Sequence, residues 1–340
     1  MNIQQLAVIG KSAPPIRSKR GDESMKGLIR YIGMGLLFIA MMSMTGCTDT
    51  TTMPSSQSYA TITDDLGRTV TLTEKPKRII VLSSSLLTIV DGVDGDIVGR
   101  STATAQDNVL PERYKEVADV GPVYGINMEK VLALQPDLIF INKNQHEKWL
   151  PLFEENHIPA IAISTKSYDD VKKALRIVGK VYHKDDVAEK KIAQMDEKIA
   201  TLTKQVPKEP IRIAIIHATP SQVTLELPSS IAGSMATQLG FQNIAAEKMN
   251  SSTLSGERIP YSMEVLVQQN PDIIYIMSMG AKEKIDNSLR KHVENDPAWS
   301  MLKAVKEKRV YVLPQYGYLI SPGISYPDYI AHMARLAFPE

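Results

Sequence analysis

Six side chains in this sequence, Tyr124, His217, Met277, Met279, Tyr316 and Tyr318, are of the types that proteins set on haem iron as axial ligands. With Ser83 to Ser85, Arg100, Asn142 and Lys143, they fall at the carboxyl ends expected for strands, Tyr124 on the loop before an internal repeat. Ligands of doubly wound sheets bind beyond those ends, so the shared position nominates the set for ligand binding in the cleft between the lobes. Each member also has a structural reading. His217 would be satisfied by backbone, Met277 would point into the core, and the tyrosines would wall a cleft; only the convergence favours binding.

Bond-breaking chemistry has no comparable signature. GxSxG, HExxH, CxxC and GxxxxGK[ST] do not occur, so the chain is expected not to be an enzyme. Gly92-Val93-Asp94-Gly95 with Gly99 lacks the GxGxxG order and reads as turn glycines. Ser83-Ser84-Ser85 would sooner cap the next helix than touch a ligand. A formal net charge of +1 argues against nucleic acid as the main partner, and hydrophobic and charged fractions of 43% and 23% exclude a disordered chain.

The elements that position these residues show in a repeat. Met128 to Ile141 aligns without a gap to Met263 to Ile276: each copy is a short helix opened by a glutamate, stopped by Pro-Asp, and followed by a β-branched run that fits a buried parallel strand. Similar runs at Arg78 to Leu82, Asp96 to Gly99, Ala160 to Ile163, Ile211 to Ile216 and Arg309 to Leu313 alternate with stretches of helical period. The fold class that follows is α/β, two doubly wound lobes with parallel sheets and a ligand cleft between them. At 340 residues the chain exceeds what one core usually serves, which agrees with two lobes. Asp185 to Lys204 lacks Gly and Pro and carries apolar residues at Val187, Ile192, Met195, Ile199 and Leu202, so one long backbone helix of ~30 Å should join the lobes. Thr61 to Leu72, centred on Asp65-Leu66-Gly67-Arg68, reads as a β-hairpin.

The first residues are an address. From Met25 a basic start, an apolar stretch from Ile32 to Met44 and small residues before Cys47 have the order of a secretory signal, too short to span a bilayer. Translation is expected to begin at Met25. Met44-Thr45-Gly46-Cys47 resembles a bacterial lipobox, which makes Cys47 the lipidated first residue of the mature chain. Residues 1–46 hold six basic and two acidic residues, so their removal takes the formal charge from +1 to −3. The expected organisation is a signal peptide (1–46), a lipidated cysteine with a disordered tether (47–58), an N-terminal lobe (59–180), the linking helix (181–207) and a C-terminal lobe (208–340). The expected location is the extracytoplasmic face of the cell membrane, held by lipid.

Over residues 59 to 340 the chain resembles the helical-backbone, or class III, substrate-binding proteins of iron-chelate and cobalamin ABC importers. The likeness is carried by Arg78 to Ser83, the Val120-Gly121-Pro122 turn, both Met-Glu…Pro-Asp repeats, the linking helix and Lys308 to Tyr311. Leu110 to Val117 is most similar to haem-uptake lipoproteins of the IsdE-like type. The resemblance implies a monomer that captures an iron chelate, most readily haem, and delivers it to a membrane permease and its ATPase. Those relatives hold haem between a methionine and a histidine at the positions of Tyr124 and Met279 here. Neither matches in type, though both are chemically competent iron ligands. His217 is the alternative opposite Tyr124; Lys143 or Arg100 would meet the propionates. Tyr124 to Glu129 also resembles cobalamin-binding members, so a siderophore or corrinoid stays open, with Tyr316 and Tyr318 as its cleft residues. Glu129 and Glu264 match the two glutamates with which the family docks on permease arginines.

Overall fold

Successive residues of a strand face opposite ways, and in the central strands of this chain both directions are apolar. The computed structural model describes residues 58–103, 110–204, 206–207, 209–248 and 256–339. The signal peptide, Cys47 and nearly all of the tether lie outside the described residues. A hairpin of β1 (Ala60–Thr63) and β2 (Thr69–Leu72) opens the fold in the expected place, turning at Gly67 with φ +77°. Next come β3 (Ile79–Val81), β4 (Gly99–Arg100), β5 (Ala118–Asp119), β6 (Leu138–Asn142) and β7 (Ala160–Ile163), which pair in the order β5-β4-β3-β6-β7, all parallel.

The second sheet corrects the expectation of two parallel sheets. It contains β8 (Arg212–Ala218), β9 (Val223–Glu226), β10 (Gln242–Asn243), β11 (Arg258–Pro260), β12 (Ile273–Ser278) and β13 (Val310–Val312), in the order β11-β9-β8-β12-β13, with β10 also beside β8. β9 runs antiparallel to β8 and β11 antiparallel to β9. The turn Thr219 to Gln222 is too short for a crossover helix, so the chain must reverse.

Alternation assigns the two faces of each sheet to different layers. Ile80, Leu82, Ile139 and Ile141 pack with Val131 of the helix Met128–Ala133, while Ala214, Ile216, Ile274 and Ile276 pack with Leu266 of the helix Met263–Gln269. The intervening residues, Ile79, Val81 and Phe140 in one lobe and Ile213, Ile215 and Tyr275 in the other, belong to a single shared core. The repeat thus supplies each sheet with its outer cover. Its aspartates act as clamps: Asp137 accepts from the backbone N–H groups of Lys77 and Arg78, and Asp272 accepts from that of Arg212. Each also donates its own N–H to the carbonyl of that arginine, which sets the start of the neighbouring strand.

The linking helix runs Asp185–Thr203 and buries Ala188, Ile192, Met195 and Ile199. It packs against the helix Tyr168–Tyr182, which Ser167 and Asp170 open with a capping box, and against the C-terminal helix Tyr326–Ala337. The segment before that last helix returns to the N-terminal lobe. Gly323, at φ +54°, lies so close to the helix Ser84–Asp91 that a β-carbon there would stand 1.9 Å from Thr88 Oγ1 and 2.6 Å from the Ser85 carbonyl. Tyr326 is fully buried, its hydroxyl 3.2 Å from the Lys166 carbonyl of one lobe and 3.4 Å from the Ile231 carbonyl of the other.

Gly323→Ala should therefore lower unfolding free energy by about 2–4 kcal/mol, since it combines a left-handed backbone with overpacking. Gly240→Ala, at φ +74° with open space around it, should cost only about 1–2 kcal/mol. Urea midpoints of the two variants check the difference; equal midpoints would mean that the interlobe contact is not tight.

Candidate functional site

Beyond β5 the chain turns at Gly121, φ +108°, where Asp119 Oδ1 accepts from the Gly121 N–H at 2.8 Å and from the Thr102 hydroxyl at 2.7 Å. The loop that follows is tied to the carboxyl end of β6 by His146. Its Nδ1 accepts from the Asn142 N–H at 3.1 Å, so its Nε2 carries the proton and donates to the Val123 carbonyl at 2.9 Å. Burial disfavours the charged ring and pushes the His146 pKa down to about 4, against the pull of the Val123 carbonyl. Next to this anchored point stands Tyr124, 71% exposed, its hydroxyl accepting from Gln145 Nε2 at 3.3 Å. In the other lobe Met279 follows the carboxyl end of β12, 43% exposed, its N–H bonded to the Ala218 carbonyl. Both residues keep accessible ligand atoms at strand ends.

Most of the other nominated residues are elsewhere engaged. Arg100 is buried and donates to the carbonyls of Tyr114, Ser101 and Lys115 and to Asp119, so it braces the 112–117 segment. Tyr318 is 1% exposed, and its hydroxyl donates to the Tyr329 carbonyl with His332 Nδ1 at 2.8 Å, inside the core. Tyr316 is buried edge-on against Tyr329, and Met277 lies in the core. Lys143 is half-buried and gives one hydrogen bond to the Asp65 carbonyl of the hairpin turn. Ser83 stands at a helix start without capping it; its Oγ lies 3.0 Å from Ser85 Oγ, under the returning C-terminal segment.

A charged cluster at the second lobe's antiparallel edge escaped sequence reasoning apart from His217. Register sets Arg258 of β11 opposite Glu226 of β9, and Arg258 Nε donates to Glu226 Oε1 at 2.5 Å. His217 Nδ1 lies 2.9 Å from the same oxygen as a close contact, and neither buried ring nitrogen has a hydrogen-bond partner among the described residues. Glu226 is 1% exposed. Burial opposes its ionisation, but the close contacts with His217 and Arg258 and the guanidinium charge outweigh burial and hold the carboxyl below the usual glutamate range. Arg258 lines an open groove of about 630 Å³ together with Ser229, Gly256, Glu257 and, from the first lobe, Lys166. Lys166 and Glu257 form an ion pair across it. No motif marks these residues, because only the pairing of β9 with β11 brings them together.

Glu129 and Glu264 occupy equivalent positions, each the second residue of its repeat helix, exposed and without an ion pair among the described residues. Each helix start is already capped, by Asn127 and Ser262, so neither acid is needed to close it. No helix among the described residues is long and apolar enough to cross a membrane.

The profile of the family described as "Periplasmic binding protein" matches residues 79–316. The ferric-anguibactin-binding protein FatB of Vibrio anguillarum is 26% identical over 314 residues, 86% of this chain and 93% of that protein. The high-affinity heme uptake system protein IsdE of Staphylococcus aureus is 22% identical over 300 residues, 87% of this chain and 93% of its own. Among solved structures, an ABC transporter substrate-binding protein from Listeria monocytogenes superposes with a TM-score of 0.68 at 20% identity, covering 78% of this chain and all of the other.

The His146 tether predicts a pH dependence. As pH falls below the ordinary histidine value of about 6.5, the unfolded chain takes up the proton before the native state does, so stability complete above that pH is lost as pH drops toward about 4. The slope from one histidine is at most about 1.4 kcal/mol per pH unit. Half-buried His332 acts in the same direction, and His146→Gln isolates the larger share, because the amide can accept and donate without titrating. Urea unfolding between pH 4.5 and 6.5 should show a shallower slope in this variant; an unchanged slope would contradict the assignment.

Proposed function

Since the chain belongs to the periplasmic binding protein family, and is a binding protein rather than an enzyme, we propose that it serves as the lipid-anchored substrate-binding component of an ABC importer for an iron chelate. Haem is the favoured guest. The observation that carries this reading is the pair Tyr124 and Met279, iron-competent side chains left exposed at strand ends of the two lobes while the remaining tyrosines of the nominated set are buried. Tyr124 would bind ferric iron as phenolate, Met279 would stand opposite, and Lys143 would turn toward a propionate. His217 is the weaker second ligand, since its ring is buried against Glu226. The similarity to IsdE supports haem. The similarity to FatB and the charged groove support a second reading, a ferric siderophore held by the same architecture. Cobalamin is the remaining alternative. The lipid anchor at Cys47 rests on the lipobox resemblance.

Docking on the permease falls to Glu129 and Glu264, whose exposure, lack of ion-pair partners among the described residues and equivalence in the repeat suit a partner with two equivalent basic sites.

Titration of the purified chain with hemin should give a Soret shift, and Tyr124→Phe should weaken binding by about tenfold or more and move the band. Absence of a shift, or an identical one in the variant, would remove haem or its ligand; competition with cobalamin and a ferric siderophore would identify the replacement. Glu129→Arg combined with Glu264→Arg should leave guest affinity unchanged while uptake into cells falls sharply. Normal uptake by that double variant would exclude docking through these acids.

A further inference from the structure

The interlobe groove beside β11 contains more ionic construction than stability explains. Glu226 buries a carboxylate in a largely apolar sheet, and a buried ion pair is often no more stabilising than apolar residues of the same volume. Its geometry has a different result. Glu226 Oε1 takes the Nε–H of Arg258 and lies 2.9 Å from His217 Nδ1, so both side chains converge on one buried carboxylate oxygen. The guanidinium is thereby fixed by one edge. Its two terminal nitrogens have no partner among the described residues, and the side chain remains 39% exposed on the groove. A planar guanidinium fixed through Nε presents the remaining N–H groups in the fork that matches a carboxylate. From the facing lobe Lys166 adds a point charge, and the carboxylate it now holds is the chain's own, Glu257.

We propose that this groove is a carboxylate-binding subsite, in which Arg258 and Lys166 take an acidic arm of the guest after it displaces Glu257 from Lys166. The inference rests on the chelate-binding reading above and narrows the guest to chelates bearing free carboxylates. Glu257 is then an internal competitor: it neutralises Lys166 while the groove is empty and yields to a ligand that engages both cations. Glu226 is a positioning residue, acting through Arg258.

The test measures affinities of the purified chain for three probes: ferric citrate, hemin and hemin dimethyl ester, which differs from hemin only by its blocked carboxylates. Arg258→Gln should weaken every carboxylate-bearing probe that binds by about tenfold or more and leave hemin dimethyl ester within about twofold. Glu257→Gln, which removes the competitor, should tighten the carboxylate probes. The opposite signs exclude a general loss of folding, and urea midpoints of both variants provide a second control. If Arg258→Gln binds ferric citrate and hemin as the wild type does, or if the wild type binds neither, the subsite is refuted. Arg258-dependent ferric citrate binding without a hemin Soret shift would leave the subsite standing and remove haem. Tyr124-dependent hemin binding indifferent to Arg258 would do the reverse.

Discussion

The seating of the C-terminal segment between the lobes is the contact on which the rest of this structure depends. Gly323 lies against the first helix with no space for a β-carbon, and Tyr326, fully buried, reaches carbonyls of both lobes. With the helices Tyr168–Tyr182 and Asp185–Thr203 packed on the same side, the inner faces of two separate sheets share one core. Two lobes joined only by a chain crossing would be free to move by hinge bending. Here a close-packed seam resists it, since a well-packed interior tolerates little displacement. Residues at opposite strand ends can therefore be placed in advance for a guest.

That constraint explains why the polar groups of the site are anchored by backbone. The Tyr124 loop hangs from a neutral, buried His146, and the turn before it from Asp119. Arg100 lies behind this wall as its brace, committed to three carbonyls and one carboxylate. In the second lobe Glu226 does for Arg258 what His146 does for the Tyr124 loop, fixing a side chain by hydrogen bonds that water would otherwise supply. Binding energy is not then consumed in ordering the receptor.

Much of this was legible in the chain. The hairpin, the central strands, both repeat helices and the linking helix fall where periodicity places them, because each follows from local pattern and the outer face of each sheet has its own helical cover in the repeat. Residues whose roles depend on what lies across from them were not legible. Ser83 has the residue type and position of a helix cap, yet its hydroxyl turns to Ser85 under the returning segment. Tyr318 follows a strand like a cleft residue, but the C-terminal helix covers it. The reversal into β9 was hidden because a short turn between apolar runs suits several connections.

Sequence alone determined the α/β alternation, the duplicated unit with its clamping aspartates and symmetric glutamates, and the chemistry of the candidate iron ligands, all of which depend on residue type and spacing within a few turns of chain. Only the tertiary structure decided which of those ligands stay exposed. It also brought His217, Glu226 and Arg258 onto one oxygen and set Lys166 across the groove. The reason is physical: burial and ion pairing are properties of neighbours in space, and strand register, which spacing along the chain does not specify, selects those neighbours.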